Sequence, residues 1–396
     1  MIKLADNLER LGDENAFAVL AHAADLAAQG RDIINLGIGQ PDFPTPPHIV
    51  EAAIKALRDG HHGYTPATGI PPLREAVAAD IHRRLGVEVD PGQVVVMPGG
   101  KPTMFFSILM FAAPGAEIIC PDPGFPIYRS VIDYSEATAV PLSIREENGF
   151  GFSADDLLEL ITPATRLIVL NSPANPTGGV TPAEEFDKLA KGLEAWPDVA
   201  ILSDEIYGQM TYDGLAHRSL LSYESLRDRV ILLDGWSKTY AMTGWRLGYG
   251  VWPEALIDHV RRLAVNCHSC VNAASQWAGI AALEGPQDCV AEMVAAFDKR
   301  RAFVAERMNS VEGIRCAVPK GAFYAFPNIT GTGWNERKLA STLLEDAGIA
   351  TIAGTDFGDY GAGFIRISCA NSLDNISAAI DRIDSFLAER EPQSAA

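Results

Sequence analysis

Residues 230–251 read VILLDGWSKTYAMTGWRLGYGV, two apolar runs on either side of a polar, glycine-rich connection. Side chains of a strand point alternately to opposite faces, so a run that is apolar throughout suits a strand covered on both sides. Similar runs occur at 94–97, 117–120, 166–170 and 199–203, with helical patterns between them. This rhythm predicts an α/β domain around a mostly parallel, buried sheet. Nearly every run ends in a cluster of Gly, Pro, Asn or Asp: MPGGKP at 97–102, CPDPGFP at 120–126, NSPANPTGG at 171–179, SDEIYG at 203–208 and DGWSKT at 234–239. Open parallel sheets bind ligands beyond the carboxyl ends of their strands, and these loops collect the polar chemistry there.

The 396 residues suffice for two or three domains. From about residue 291 the pattern changes to a long charged helix, a helix around 339–347, a strand at 364–368 and a terminal helix. This predicts a smaller α+β domain of residues 1–45 plus 291–396 beside a large domain of residues 46–290. A helix over 15–29 leads into a strand at 33–36, and EREPQSAA at 389–396 reads as a frayed tail. A composition 47% hydrophobic and 21% charged sets disorder aside. The net charge of −19 repels phosphate backbones and anionic lipid, so no nucleic-acid or membrane partner is expected. The longest stretch free of Asp, Glu, Lys and Arg, 263–283, holds Asn266, His268 and Gln276, which excludes a membrane span. No apolar segment follows a basic one at the amino terminus, so a cytoplasmic location is expected.

Six cysteines in so long a chain form no disulfide framework. Cys267 and Cys270 lack the second pair a structural zinc requires, so they read as helix-facing thiols and no metal is expected. There is no H-E-x-x-H and no G-x-S-x-G.

Lys238 sits in an aromatic, glycine-rich connection that desolvates an amine and lowers its pKa. With Ser237 beside it and Arg246 eight residues on, it suits a phosphorylated, carbonyl-bearing cofactor held as a Schiff base. Asp204 ends a buried apolar strand, where an unpaired carboxylate is costly, so a cationic partner is expected. Gly99-Gly100-Lys101-Pro102 opens a helix whose free N–H groups attract phosphate, without the spacing of a Walker loop.

The segment SKTYAMTGWR at 237–246 resembles the cofactor-attachment signature of the class I and II aminotransferases, pyridoxal-phosphate enzymes of fold type I. The likeness runs from about residue 35 to residue 370 through several separate motifs. It implies a large, mostly parallel seven-stranded sheet domain with a smaller α+β domain, and pyridoxal 5'-phosphate on Lys238. By this resemblance Asn175 and Tyr207 bond the phenolate oxygen of the cofactor, and Asp204 pairs with its pyridinium nitrogen. Gly99, Gly100, Lys101, Ser237 and Arg246 grip the phosphate, joined by Tyr64 from the other subunit of a homodimer with shared sites. Gly39 and Arg366 face the substrate, Arg366 clamping its α-carboxylate with the bidentate geometry a lysine lacks.

Two positions depart from the pattern. Phe125 stands where many relatives place a tryptophan over the cofactor ring, which keeps stacking and loses an N–H contact. Asn15-Ala16-Phe17 is apolar where aspartate-preferring relatives place a hydroxyl, so uncharged amino acids are expected to be accepted at least as well as aspartate. The resulting expectation is a ping-pong transaminase acting on L-amino acids and 2-oxo acids, with 2-oxoglutarate as acceptor. A β-lyase on the same scaffold shares every motif above, and a non-catalytic sensing or interaction domain is the rival from another class.

Overall fold

The computed structural model describes residues 2–390. Its main sheet contains β2 (Val94–Met97), β3 (Glu117–Asp122), β4 (Thr138–Ser143), β5 (Thr165–Asn171), β6 (Ala200–Asp204), β7 (Val230–Gly235) and β8 (Gly248–Val251), preceded in the chain by a short β1 (Ile34–Asn35). The spatial order is β2-β8-β7-β6-β5-β3-β4, parallel except that β8 runs against both of its neighbours. The seven strands and the mostly parallel sheet therefore match the expected fold class.

Each apolar run serves two cores at once. Ile168, Leu170, Ile201 and Leu232 face one core. Leu167, Val169, Leu202, Ile231 and Leu233 face the other. That division explains why the runs do not alternate with polar residues. β4 was not legible as a strand, because Pro141 interrupts it and its first four residues are not buried. An edge position tolerates both features, since one side of the strand needs no ladder partner.

A further core gathers Met293, Phe297 and Val304 of the helix Asp288–Met308 with Ile376 and Ile380 of the helix Leu373–Glu389. It includes β9 (Tyr324–Ala325), Ile349 of β10 (Ile349–Ala350) and Ile365 and Ile367 of β12 (Ile365–Ser368), while Ile352 of β11 (Ile352–Ala353) joins the first core. β12 pairs antiparallel with β9 and β11, and β1 pairs parallel with β10. The amino-terminal helix Asn15–Ala28 packs Ala23 and Leu26 against Leu344 and Ala350.

Several boundaries differ from the sequence reading. The strand expected over 33–36 shrinks to Ile34–Asn35, and the charged helix starts three residues early, at Asp288. The helix around 339–347 is the helix Glu336–Thr342 continued by a wider π-turn to Ala347, where Gly348 takes a left-handed φ of 70°. Of Cys267 and Cys270, only Cys267 lies on a helix, at its last residue, and Cys270 is in the following loop. Of the tail, Glu389 closes the last helix and Arg390 pairs with Asp346, while 391–396 lie outside the described residues. Among the described residues no helix is long and apolar enough to cross a membrane.

Candidate active site

A cavity of about 460 Å³ opens beyond the carboxyl ends of β5, β6 and β7. Asn171 and Asp204 bring their side chains to it as the last residues of β5 and β6, and Ser237 and Lys238 do so from the turn that follows β7. The strand ends are tied together: Asn171 Nδ2 donates to the Asp204 carbonyl at 3.0 Å, and its Oδ1 accepts from the Asn175 backbone N–H at 2.9 Å.

Lys238 Nζ donates to the Gly39 carbonyl at 2.5 Å and lies 5.8 Å from the centre of the Tyr207 ring. Burial, reinforced by the positive charges of Arg366 and Arg246, pulls its pKa down to about 8. Gly39 is required at that close approach, because a Cβ there would strike the Tyr324 hydroxyl.

Asp204 is 7% exposed. Its carboxylate accepts from the Tyr128 hydroxyl at 2.7 Å and from the Ile206 N–H at 3.2 Å. Burial raises its pKa to about 6 against the stabilising effect of these two bonds. The expected cation is not one of these two hydrogen-bond partners, and the carboxylate is held by neutral donors facing the cavity. The Ile206 bond is also the local turn-capping interaction that such a position can supply.

Tyr207 and Tyr324 hydroxyls share a hydrogen bond of 2.8 Å, and burial raises the pKa of both. Arg366 is 3% exposed and its guanidinium carbon lies 4.6 and 4.7 Å from the ring centres of Tyr324 and Phe357. One terminal nitrogen donates to Asn175 Oδ1 at 2.9 Å and the other to the Gly37 carbonyl at 2.5 Å, while its buried Nε has no partner.

Gly99 has a left-handed φ of 91°, and a Cβ there would meet the Arg246 guanidinium. The glycine turn and the arginine thus close on one another without a side chain between them. Gly100 caps the helix Lys101–Phe111, and Ser237 and Arg246 line the cavity with it. Phe125 lines the same space and meets Tyr128 edge-on at 5.6 Å.

The cavity collects Gly39, Gly100, Lys101, Phe125, Asn175, Asp204, Tyr207, Ser237, Lys238, Arg246 and Arg366 from distant parts of the sequence. Gly99 lies just behind Arg246, and Tyr64 stands apart, 94% exposed on the surface of this chain. The Lys101 ammonium pairs with Glu14 at 2.7 Å, which the sequence reading missed. Tyr128 and Tyr324 were missed as well. No sequence signal pointed to Tyr128, the second residue of the helix Ile127–Tyr134, because the partner expected for Asp204 was a cation.

The sequence profile of the aminotransferase class I and II family matches residues 31–383. The aspartate/prephenate aminotransferase of Nitrosomonas europaea is 36% identical over 98% of this chain and 100% of its own length. The aspartate aminotransferase of Geobacillus stearothermophilus is 36% identical over the same shares. Among solved structures, the aspartate aminotransferase from Rhizobium meliloti superposes with a TM-score of 0.93 at 33% identity, over 98% of this chain and 99% of that one. That of Thermus thermophilus with maleate superposes at 0.92 and 33% identity, over 97% of this chain and all of the other.

Proposed function

The chain belongs to the class I and II aminotransferases and is a transaminase, and from that premise we propose how its own residues carry the reaction and what they hold. The cofactor is pyridoxal 5'-phosphate. Three features fit it: an amine of lowered pKa at Lys238, a buried carboxylate at Asp204 facing the cavity, and a helix start at Gly100 and Lys101 that lines the cavity together with Arg246 and Ser237, a cationic setting for a phosphate. Asp204 would hold the pyridine nitrogen, Asn175 and Tyr207 the ring oxygen and Phe125 the ring, while Ser237, Arg246 and the backbone N–H groups of Gly99, Gly100 and Lys101 would hold the phosphate. When bound, the cofactor supplies a carbonyl for the amino group and an electron sink for the pair left when the α-proton departs.

The protein's part is binding, orientation and proton movement. Arg366 offers a planar fork to the substrate α-carboxylate, packed near two rings and aimed by Asn175 and the Gly37 carbonyl. Its unpartnered Nε is a donor still to be satisfied in that pocket. Lys238 takes the proton from the substrate α-carbon and later returns it. A pKa of about 8 suits an amine for both directions near neutral pH. Tyr324, through its bond to Tyr207, fixes the hydroxyl that faces the cofactor oxygen.

The chain works as a homodimer in the cytoplasm, with 46–290 as the cofactor-holding domain and 1–45 plus 291–396 as the smaller one. The exposed Tyr64 supports shared sites, since nothing in its own chain gives that side chain a role in the cavity. Relatives and structural neighbours carry the names of aspartate, aromatic amino-acid and alanine aminotransferases, so the names alone do not select one donor. The acceptor is 2-oxoglutarate.

The observation that carries this reading is the meeting of Lys238, Asp204 and Arg366 in one cavity. Incubation of the holoenzyme with amino acids and 2-oxoglutarate tests it. Matched formation of a new oxo acid and glutamate is expected. Pyruvate, ammonia and a thiol from a cysteine conjugate, without exchange, would assign the β-lyase chemistry instead.

A further inference from the structure

Glu14, Phe17, Lys101 and Phe125 line the cavity together, and the mechanism above uses neither the Glu14 carboxylate nor the Lys101 ammonium. Glu14 occupies the N-cap of the helix Asn15–Ala28, where a side chain ordinarily accepts from the first free N–H groups. It makes no capping bond and instead reaches across to Lys101 Nζ at 2.7 Å. The same ammonium lies 5.5 Å from the centre of the Phe17 ring and 5.4 Å from that of Phe125.

Four cations line this space: Lys101, Lys238, Arg246 and Arg366. The last three are engaged with the cofactor or the α-carboxylate in the reading above, and Lys101 offers the phosphate only its backbone N–H, so its side-chain ammonium is the cation left to meet a second carboxylate. Its site is already filled by a carboxylate from its own chain. The side chains of Lys101 and Glu14 are 46% and 19% exposed, and an ion pair so open to water is weakly held. A carboxylate arriving from solution can therefore exchange with it.

Resting on the aminotransfer reading, we infer that Glu14 is a specificity-determining residue that occupies Lys101 in place of the second carboxylate of a dicarboxylic substrate and yields it when such a substrate binds. An uncharged or aromatic side chain leaves the pair closed and packs along Phe17 and Phe125. A dicarboxylate displaces Glu14 toward solvent and takes over the ammonium. Ping-pong exchange brings both kinds of substrate to one pocket in turn. With Glu14 in place, Lys101 is not left uncompensated when the visiting side chain has no charge. The apolar Phe17 wall and acceptance of 2-oxoglutarate are thereby compatible in a single site.

Succinate and butyrate, unreactive acids with two carboxylates and one, separate this exchange from turnover. Both are titrated by calorimetry into the holoenzyme, into Glu14→Gln, into Lys101→Gln and into the double variant. Glu14→Gln is expected to tighten succinate at least fivefold and to leave butyrate within twofold. Lys101→Gln is expected to weaken succinate at least fivefold, and the gain from Glu14→Gln should vanish in the double variant. A succinate constant unmoved by Glu14→Gln, equal tightening of both acids, or a gain that persists without Lys101 overturns the inference. Because the titration requires no turnover, a holoenzyme that exchanges no amino groups refutes the aminotransfer reading on its own, and the succinate result still judges Glu14.

Discussion

Asn175 Oδ1 accepts a hydrogen bond from Arg366 Nη1 at 2.9 Å, which joins the loop after β5 to β12 inside the cavity. The residue proposed to read the cofactor oxygen and the residue proposed to read the substrate carboxylate are therefore one mechanical unit. Arg366→Lys removes the fork while keeping the charge, and kcat/KM for any amino acid should fall by about 100-fold or more, on the order of 3 kcal/mol. Because the pair is shared, the losses from Arg366→Lys and Asn175→Ala should add up to more than the loss in the double variant. Strict additivity in steady-state assays would mean that the two act independently.

A second prediction concerns pH. The free amine of Lys238 is the attacking form, and burial with two nearby guanidinium groups lowers its pKa to about 8. The rate at which cofactor-free protein captures pyridoxal phosphate should rise with pH and level off above about 8, as followed by absorbance. A rise continuing toward pH 10, where an ordinary lysine titrates, would show that the amine is not desolvated.

Asp204 carries a stability cost that its function explains. Its folded pKa of about 6 lies above the ordinary carboxylate value of 3.8, so between those values the folded state holds the proton more tightly than the unfolded state. Stability of the cofactor-free protein from this group is full below about pH 4 and is lost as pH rises through about 6, by roughly 2–3 kcal/mol. Asp204→Asn should therefore stabilise the cofactor-free protein in urea melts at pH 7.5, with the gain shrinking toward pH 4. The same variant should slow the half-reaction by orders of magnitude. A destabilised variant at pH 7.5 would contradict the assignment of a purely functional carboxylate.

These residues show what a sequence discloses. Lys238 and Asp204 were legible because an apolar strand ends at or just before each and places it at the sheet edge, whereas Asn175 was named only through the resemblance carried by its motif. Tyr128 and Tyr324 were not, because their partners Asp204 and Tyr207 lie 76 and 117 residues away and no local pattern marks them. Glu14 escaped for the same reason, being 87 residues from Lys101. The strand β4 was hidden by Pro141 and by the exposure that an edge permits. Local periodicity fixes elements, whereas side-chain meetings across them depend on the packed topology.

Tyr64 tests the shared site. Its side chain is almost fully exposed on one chain, and the reading places it on the phosphate of the partner. Tyr64→Phe should leave a dimer of twice 42.5 kDa in sedimentation and weaken cofactor affinity by about tenfold or more, as loss of one hydrogen bond to a charged group implies. Unchanged affinity in a dimeric variant would remove Tyr64 from the site.

The central claim is that Lys238 is the residue to which the cofactor is attached, and reduction of the holoenzyme with borohydride followed by peptide mapping tests it most directly. The account predicts a single reduced pyridoxyl label on Lys238, absent from a folded Lys238→Ala protein. A label on any other lysine, or none on Lys238 in protein that exchanges amino groups, would contradict it.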